Sequence, residues 1–114
     1  MKVLVKEPHT SNYPNPIYFS KGDLLKLGRF DTEFSGWVRV FTSDGNEGWA
    51  PIDYIDTVSS RNTGVAKCDY NAFELNTQSN EILTVLLELN EWFLVINSHG
   101  LKGWVPVQTV VNLT

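Results

Sequence analysis

The chain has 114 residues, a formal net charge of −4 and a pI near 5.0, a balance that argues against nucleic-acid or anionic-membrane partners, since both require a cationic footprint. Apolar residues at 42% and charged residues at 19% describe an ordinary globular chain, and no apolar run approaches the roughly 20 residues that cross a bilayer. Cys68 stands alone and cannot form an internal disulfide, and the apolar start at Met1 is too short for a signal peptide, so a cytoplasmic location is expected.

In chain order, Lys2 to Lys6 form a short apolar run suited to a first strand. Glu7 to Tyr18 carry Pro8, Pro14 and Pro16 among polar residues, which predicts a long loop with a restricted backbone. Lys21-Gly22-Asp23 reads as a turn that launches a strand at Leu24 to Leu27, followed by a polar insertion from Arg29 to Gly36. Val38 and Val40 then alternate with Trp37 and Arg39 at the period of a half-buried strand, which places Trp37 with Arg39 on the face toward water. The run breaks at Ser43-Asp44-Gly45-Asn46, resumes at Gly48-Trp49-Ala50 and stops at Pro51, a hairpin closed by a single helical turn over Ile52 to Ile55.

This pattern returns further along the chain. Trp92, Gly100, Gly103, Trp104, Pro106 and Val110 each stand 55 positions after Trp37, Gly45, Gly48, Trp49, Pro51 and Ile55 (92 minus 37, 104 minus 49), which predicts a duplication. The second half offers a first strand at Val65 to Cys68, a loop from Asp69 to Asn80, a strand at Glu81 to Leu87, and hairpin strands at Trp92 to Asn97 and Lys102 to Val105. Thr57 to Thr63 is short and polar and reads as a linker. The expected division is a domain over 1–57, a linker over 58–63 and a domain over 64–114. Short strands at close spacing, with turn glycines at Gly22, Gly45, Gly48, Gly100 and Gly103 and no long amphipathic helix, predict an all-β protein of two small antiparallel barrels.

The order of first strand, long loop, K-G-D-L-L, G-W-V-R-V and G-N-E-G-W-A-P-I-D-Y-I resembles a Src-homology 3 (SH3) domain of the variant or bacterial type, once per half. The first half keeps the family's closing motif as Gly48, Trp49, Pro51 and Tyr54, but V-L-V-K-E stands where the family has A-L-Y-D-Y. In the second half Ala66-Lys67-Cys68-Asp69-Tyr70 resembles the start motif, with Cys68 where an aromatic is usual, while the final tyrosine of its close is Thr109. Each half keeps what the other lacks.

The resemblance implies shallow aromatic grooves that receive proline-rich peptides as a preformed polyproline II helix. Carried over by position, the peptide-binding candidates are Trp37, Trp49, Pro51 and Tyr54 in the first half and Tyr70, Trp92, Trp104 and Pro106 in the second, with Tyr13 and Tyr18 able to add to the first groove. The alternative is that these rings cover the barrels or bury against the sister domain. Family members that select arginine carry several loop carboxylates, whereas here the loops hold only Glu7, Asp69, Glu74 and Glu81, so a basic ligand is not predicted.

Enzyme chemistry finds no support in the residue spacing. Nothing brings Cys68 near His9 or His99 as a nucleophile and base, one cysteine and two isolated histidines do not make a metal set, and no phosphate-binding glycine loop occurs. The expected function is a non-enzymatic module that binds a protein or peptide ligand and needs no cofactor. The alternatives are a scaffolding protein whose grooves are unused and a module for cell-wall peptide or glycan.

Overall fold

A computed structural model describes residues 1–11, 14–58 and 62–113. Tyr13 and residues 59–61 of the expected linker lie outside the described residues. The protein is all-β, with strands β1 (Lys2–Val5), β2 (Tyr18–Phe19), β3 (Leu24–Phe30), β4 (Trp37–Phe41), β5 (Glu47–Pro51), β6 (Ile55–Val58), β7 (Thr63–Ala66), β8 (Tyr70–Asn71), β9 (Ile82–Leu89), β10 (Trp92–Ile96), β11 (Lys102–Pro106) and β12 (Val110–Asn112). The helical turn expected after Pro51 is a 3-10 turn over Ile52–Tyr54, and a matching turn spans Val107–Thr109. Arg29 and Phe30, expected in a polar insertion, instead extend β3.

The chain forms two compact units, and their boundaries differ from the expected division at 57 and 64. One unit comprises Met1–Pro14 with Phe73–Thr114; the other is the uninterrupted segment Asn15–Ala72. We call them the split unit and the continuous unit. The split unit holds a five-stranded sheet in the order β11-β10-β9-β1-β12, and the continuous unit one in the order β5-β4-β3-β7-β6 together with the two-stranded pair β2-β8. The first strand of the chain is therefore built into the unit that carries the second repeat, where Val3 lies opposite Leu83 and Val5 opposite Val110. Conversely β7, expected to begin the second domain, pairs with β3 and β6, with Leu25 opposite Gly64 and Ile55 opposite Ala66.

Two physical reasons favour this exchange. The two ends of the expected linker are themselves paired, Val58 in β6 lying opposite Thr63 in β7. Closing so short a loop costs little chain entropy, and consecutive strands usually pair. Side-chain volume supplies the second reason. Val3 and Gly64 occupy matching inward positions in the two sheets, and a Cβ on Gly64 would collide with Ile55 Cγ2 and press on the Asp56 carbonyl. In the split unit the position matching Ile55 holds the smaller Val110, so Val3 and Val5 fit and are buried to 1% and 0% exposure. Interiors packed to near-crystalline density do not tolerate such swaps of volume.

The buried core of the split unit is Val3, Val5, Leu75, Leu83, Phe93, Val95, Val105 and Val110. In the continuous unit Ile17, Phe19, Leu25, Val38, Val40, Ala50, Ile55 and Ala66 are buried. The alternation read from the sequence at Val38 and Val40 holds on the core face of β4, and β10 shows the same pattern with Phe93 and Val95.

Replacing Val5 by Ala removes two buried methyl groups and should destabilise the split unit by about 2 kcal/mol. Amide exchange should then quicken around Trp92 and Trp104 and leave Trp37 and Trp49 protected, whereas a linear assignment of strands to repeats gives the opposite pattern. Gly64→Val should cost the continuous unit about 1–3 kcal/mol by overpacking against Ile55, readable as a lower denaturation midpoint for Trp49 fluorescence.

Candidate functional site

The strand exchange redistributes the candidate residues. In the continuous unit, β4 and β5 set Trp37 opposite Pro51 and Arg39 opposite Trp49, so these four side chains share the face turned away from Val38, Val40 and Ala50. The 3-10 turn adds Tyr54, and β8 adds Tyr70. The Tyr54 and Tyr70 rings meet edge to face with centroids 5.8 Å apart, Phe19 packs against Tyr70 at a tilt with centroids 5.3 Å apart, and the Tyr70 hydroxyl donates to the Trp49 carbonyl at 3.0 Å. The Lys67 amide donates to the Tyr54 carbonyl at 2.8 Å, tying the start motif to the close. The two half-kept motifs of the sequence, Ala66 to Tyr70 from one repeat and Gly48 to Tyr54 from the other, thus come together in one unit.

The expectation that Trp37 faces water is overturned. Trp37 is 5% exposed, Tyr70 is 7% exposed and Pro51 is fully buried, while Trp49 and Tyr54 are half-buried. Alternation assigns a side chain to a face correctly, yet that face grades from covered at Trp37 to open at Phe41, and period two carries no information along the strand. Tyr18 is 68% exposed. Burial holds the Tyr54 phenol above its ordinary range, with a smaller push in the same direction from the neighbouring Cys68.

The split unit carries a different set. Trp92 lies opposite Pro106 and Leu94 opposite Trp104. Thr109, where the continuous unit has Tyr54, donates its hydroxyl to the Pro106 carbonyl at 2.7 Å. His9 stands four residues after Val5 as Tyr70 stands four after Ala66; its ring meets Trp92 edge-on at 5.8 Å and its Nε2 lies 2.8 Å from Glu74 Oε1. Both side chains of this pair are mostly covered, at 15% and 14% exposure. Trp104 is 4% exposed, and its backbone is bonded to the segment 73–75: its carbonyl accepts from the Leu75 amide at 3.0 Å and its amide donates to the Phe73 carbonyl at 2.9 Å.

Gly48 and Gly103 were expected in turns but lie within β5 and β11. Their role is close approach. A Cβ on Gly103 would meet the Leu75 amide and the Phe73 ring at 3.0 Å, and one on Gly48 would meet Ile17 at 3.1 Å. Each glycine lets an arm of the long loop lie flat on the sheet.

Of the eight residues singled out, the structure groups Trp37, Trp49, Pro51, Tyr54 and Tyr70 in the continuous unit and Trp92, Trp104 and Pro106 in the split unit. Sequence reasoning missed the His9 and Glu74 pair, whose relation to Trp92 depends on the exchanged strand, and the guanidinium groups of Arg29 and Arg39, which lie 5.4 and 5.2 Å from the Trp49 ring centroid. Among the described residues, no group of three or more His, Cys, Asp or Glu could hold a metal ion, and no helix is long and apolar enough to cross a membrane.

An all-β chain with a long loop, a three-stranded hairpin sheet, a 3-10 turn and a closing strand in each repeat has the elements of an SH3 domain. The family model for the variant SH3 domain matches residues 2–58, and the chain belongs to that family. Comparison with curated proteins and with solved structures finds no match. The matched segment follows the linear repeat and includes β1, which the fold places in the split unit. Domains of this type are generally non-catalytic modules that bind protein or peptide ligands.

Because the folded chain keeps Tyr54 protonated above its ordinary value, the unfolded state loses that proton first as pH rises. The contribution is neutral below about pH 10, the ordinary tyrosine value, and becomes destabilising as pH climbs beyond it. A spectrophotometric titration should show a late phenolate component that Tyr54→Phe diminishes and Cys68→Ser moves toward lower pH.

Proposed function

We propose that the protein is a peptide-binding module whose working groove lies in the continuous unit, on the half-buried rings of Trp49 and Tyr54 backed by the buried Trp37, Pro51 and Tyr70, and that its ligand is an extended, proline-containing peptide. The observation that carries the reading is the Tyr54 and Tyr70 ring contact, which unites the start motif of one repeat with the closing motif of the other. A polyproline II segment meets such rings with little further loss of conformational entropy. The split unit has His9 and Thr109 at the two tyrosine positions and offers a different surface. The deep burial of Trp37 and Trp104 favours a second reading, in which these rings are structural and the chain serves as a scaffold.

Titrating the isotope-labelled full chain with a peptide that carries two tandem Pro-x-x-Pro units separates the two. Peptide binding should move the resonances of Tyr54 and Tyr70 and the Trp37 indole, and Tyr54→Ala should weaken it about tenfold, as expected for an aromatic anchor. If none of these resonances moves at millimolar peptide, the groove is not a peptide site and the scaffold reading stands.

A further inference from the structure

We infer that the continuous unit selects a peptide bearing an acidic side chain, with Arg29 as the residue that reads it; this rests on the proposed peptide groove. Arg29 is exposed on β3, and its guanidinium lies over the Trp49 ring at 5.4 Å. Arg39 lies over the same ring at 5.2 Å but is engaged, its Nη2 donating to Glu47 Oε1 at 2.8 Å. Arg29 has no carboxylate within 4.0 Å among the described residues. The neighbouring carboxylate of Asp31 accepts from the amides of Glu33 and Phe34. The outer face of Trp49 therefore carries two guanidiniums and one bound carboxylate, a local surplus of positive charge.

That surplus adjoins the groove. The Tyr54 ring meets Tyr70, whose hydroxyl donates to the Trp49 carbonyl, so a chain lying on the half-buried Tyr54 ring runs close to Trp49. A guanidinium stacked on an indole keeps its donors in plane and free at the edge, the geometry that takes a carboxylate in a two-pronged contact. The overall charge of −4 opposes acidic ligands only weakly, because exposed charges further than about 8 Å are largely screened at physiological salt. Arg29 and Arg39 both belong to the continuous unit. The segments of the split unit contain no arginine, so the selection applies to one unit alone.

The test uses the full chain and three synthetic peptides with the same tandem Pro-x-x-Pro core, flanked by two glutamates, two lysines or two glutamines. At low salt the glutamate peptide should bind about two- to five-fold more tightly than the glutamine peptide, the size expected of an exposed ion pair, and should shift the Trp49 indole resonance. The preference should shrink at high salt, vanish in Arg29→Gln and invert in Arg29→Glu. Circular dichroism checks that these variants keep the fold. Equal binding of the three peptides, a preference for lysine, or a glutamate preference that survives in Arg29→Gln overturns the assignment while leaving the groove intact. Failure of all three peptides to move Tyr54 or Tyr70 removes the groove and the selection together.

Discussion

The architecture depends on the fit of one inward strand position. Opposite Leu25 the continuous unit has room for no side chain at all, because Ile55 Cγ2 occupies the space where the Cβ of residue 64 would be. Opposite Leu83 the split unit has room for Val3, since its closing strand brings Val110 where the other unit brings Ile55. A strand beginning Thr-Gly-Val-Ala therefore belongs in one sheet and a strand reading Lys-Val-Leu-Val in the other. Close packing makes the choice a steric one, and the low entropy cost of joining β6 directly to β7 points the same way.

From that choice follows the unequal chemistry of the two units. The exchange carries Tyr70 to Tyr54 and carries His9 to Trp92. One unit thereby gains Tyr54 and Tyr70 in ring contact, and the other gains a histidine bonded to a glutamate beside its tryptophan. A duplicated module would ordinarily present the same surface twice. Here the crossing of first strands gathers the family's motif residues on one side and leaves the other to diverge.

Glycine shows the same dependence on what the chain brings close. Gly45 and Gly100 turn their hairpins with φ near +87° and +80°, a conformation that L side chains rarely adopt. Gly48 and Gly103 sit in ordinary strand backbone and are needed for the arms that lie over them. Along the chain the two kinds look alike, since a G-x-x-G spacing does not reveal which glycine turns and which yields space.

The repeat at a spacing of 55, the alternation in β4, the hairpins and the turn after Pro51 were legible in the residues, because they are local or depend on a period shared by neighbours. So was the family, through motifs a few residues long. The tertiary structure alone decided which first strand enters which sheet, how deeply Trp37 is covered, and which charges stand over Trp49. These are matters of volume and distance between segments far apart in the chain, and such relations leave no periodic trace in the order of its residues.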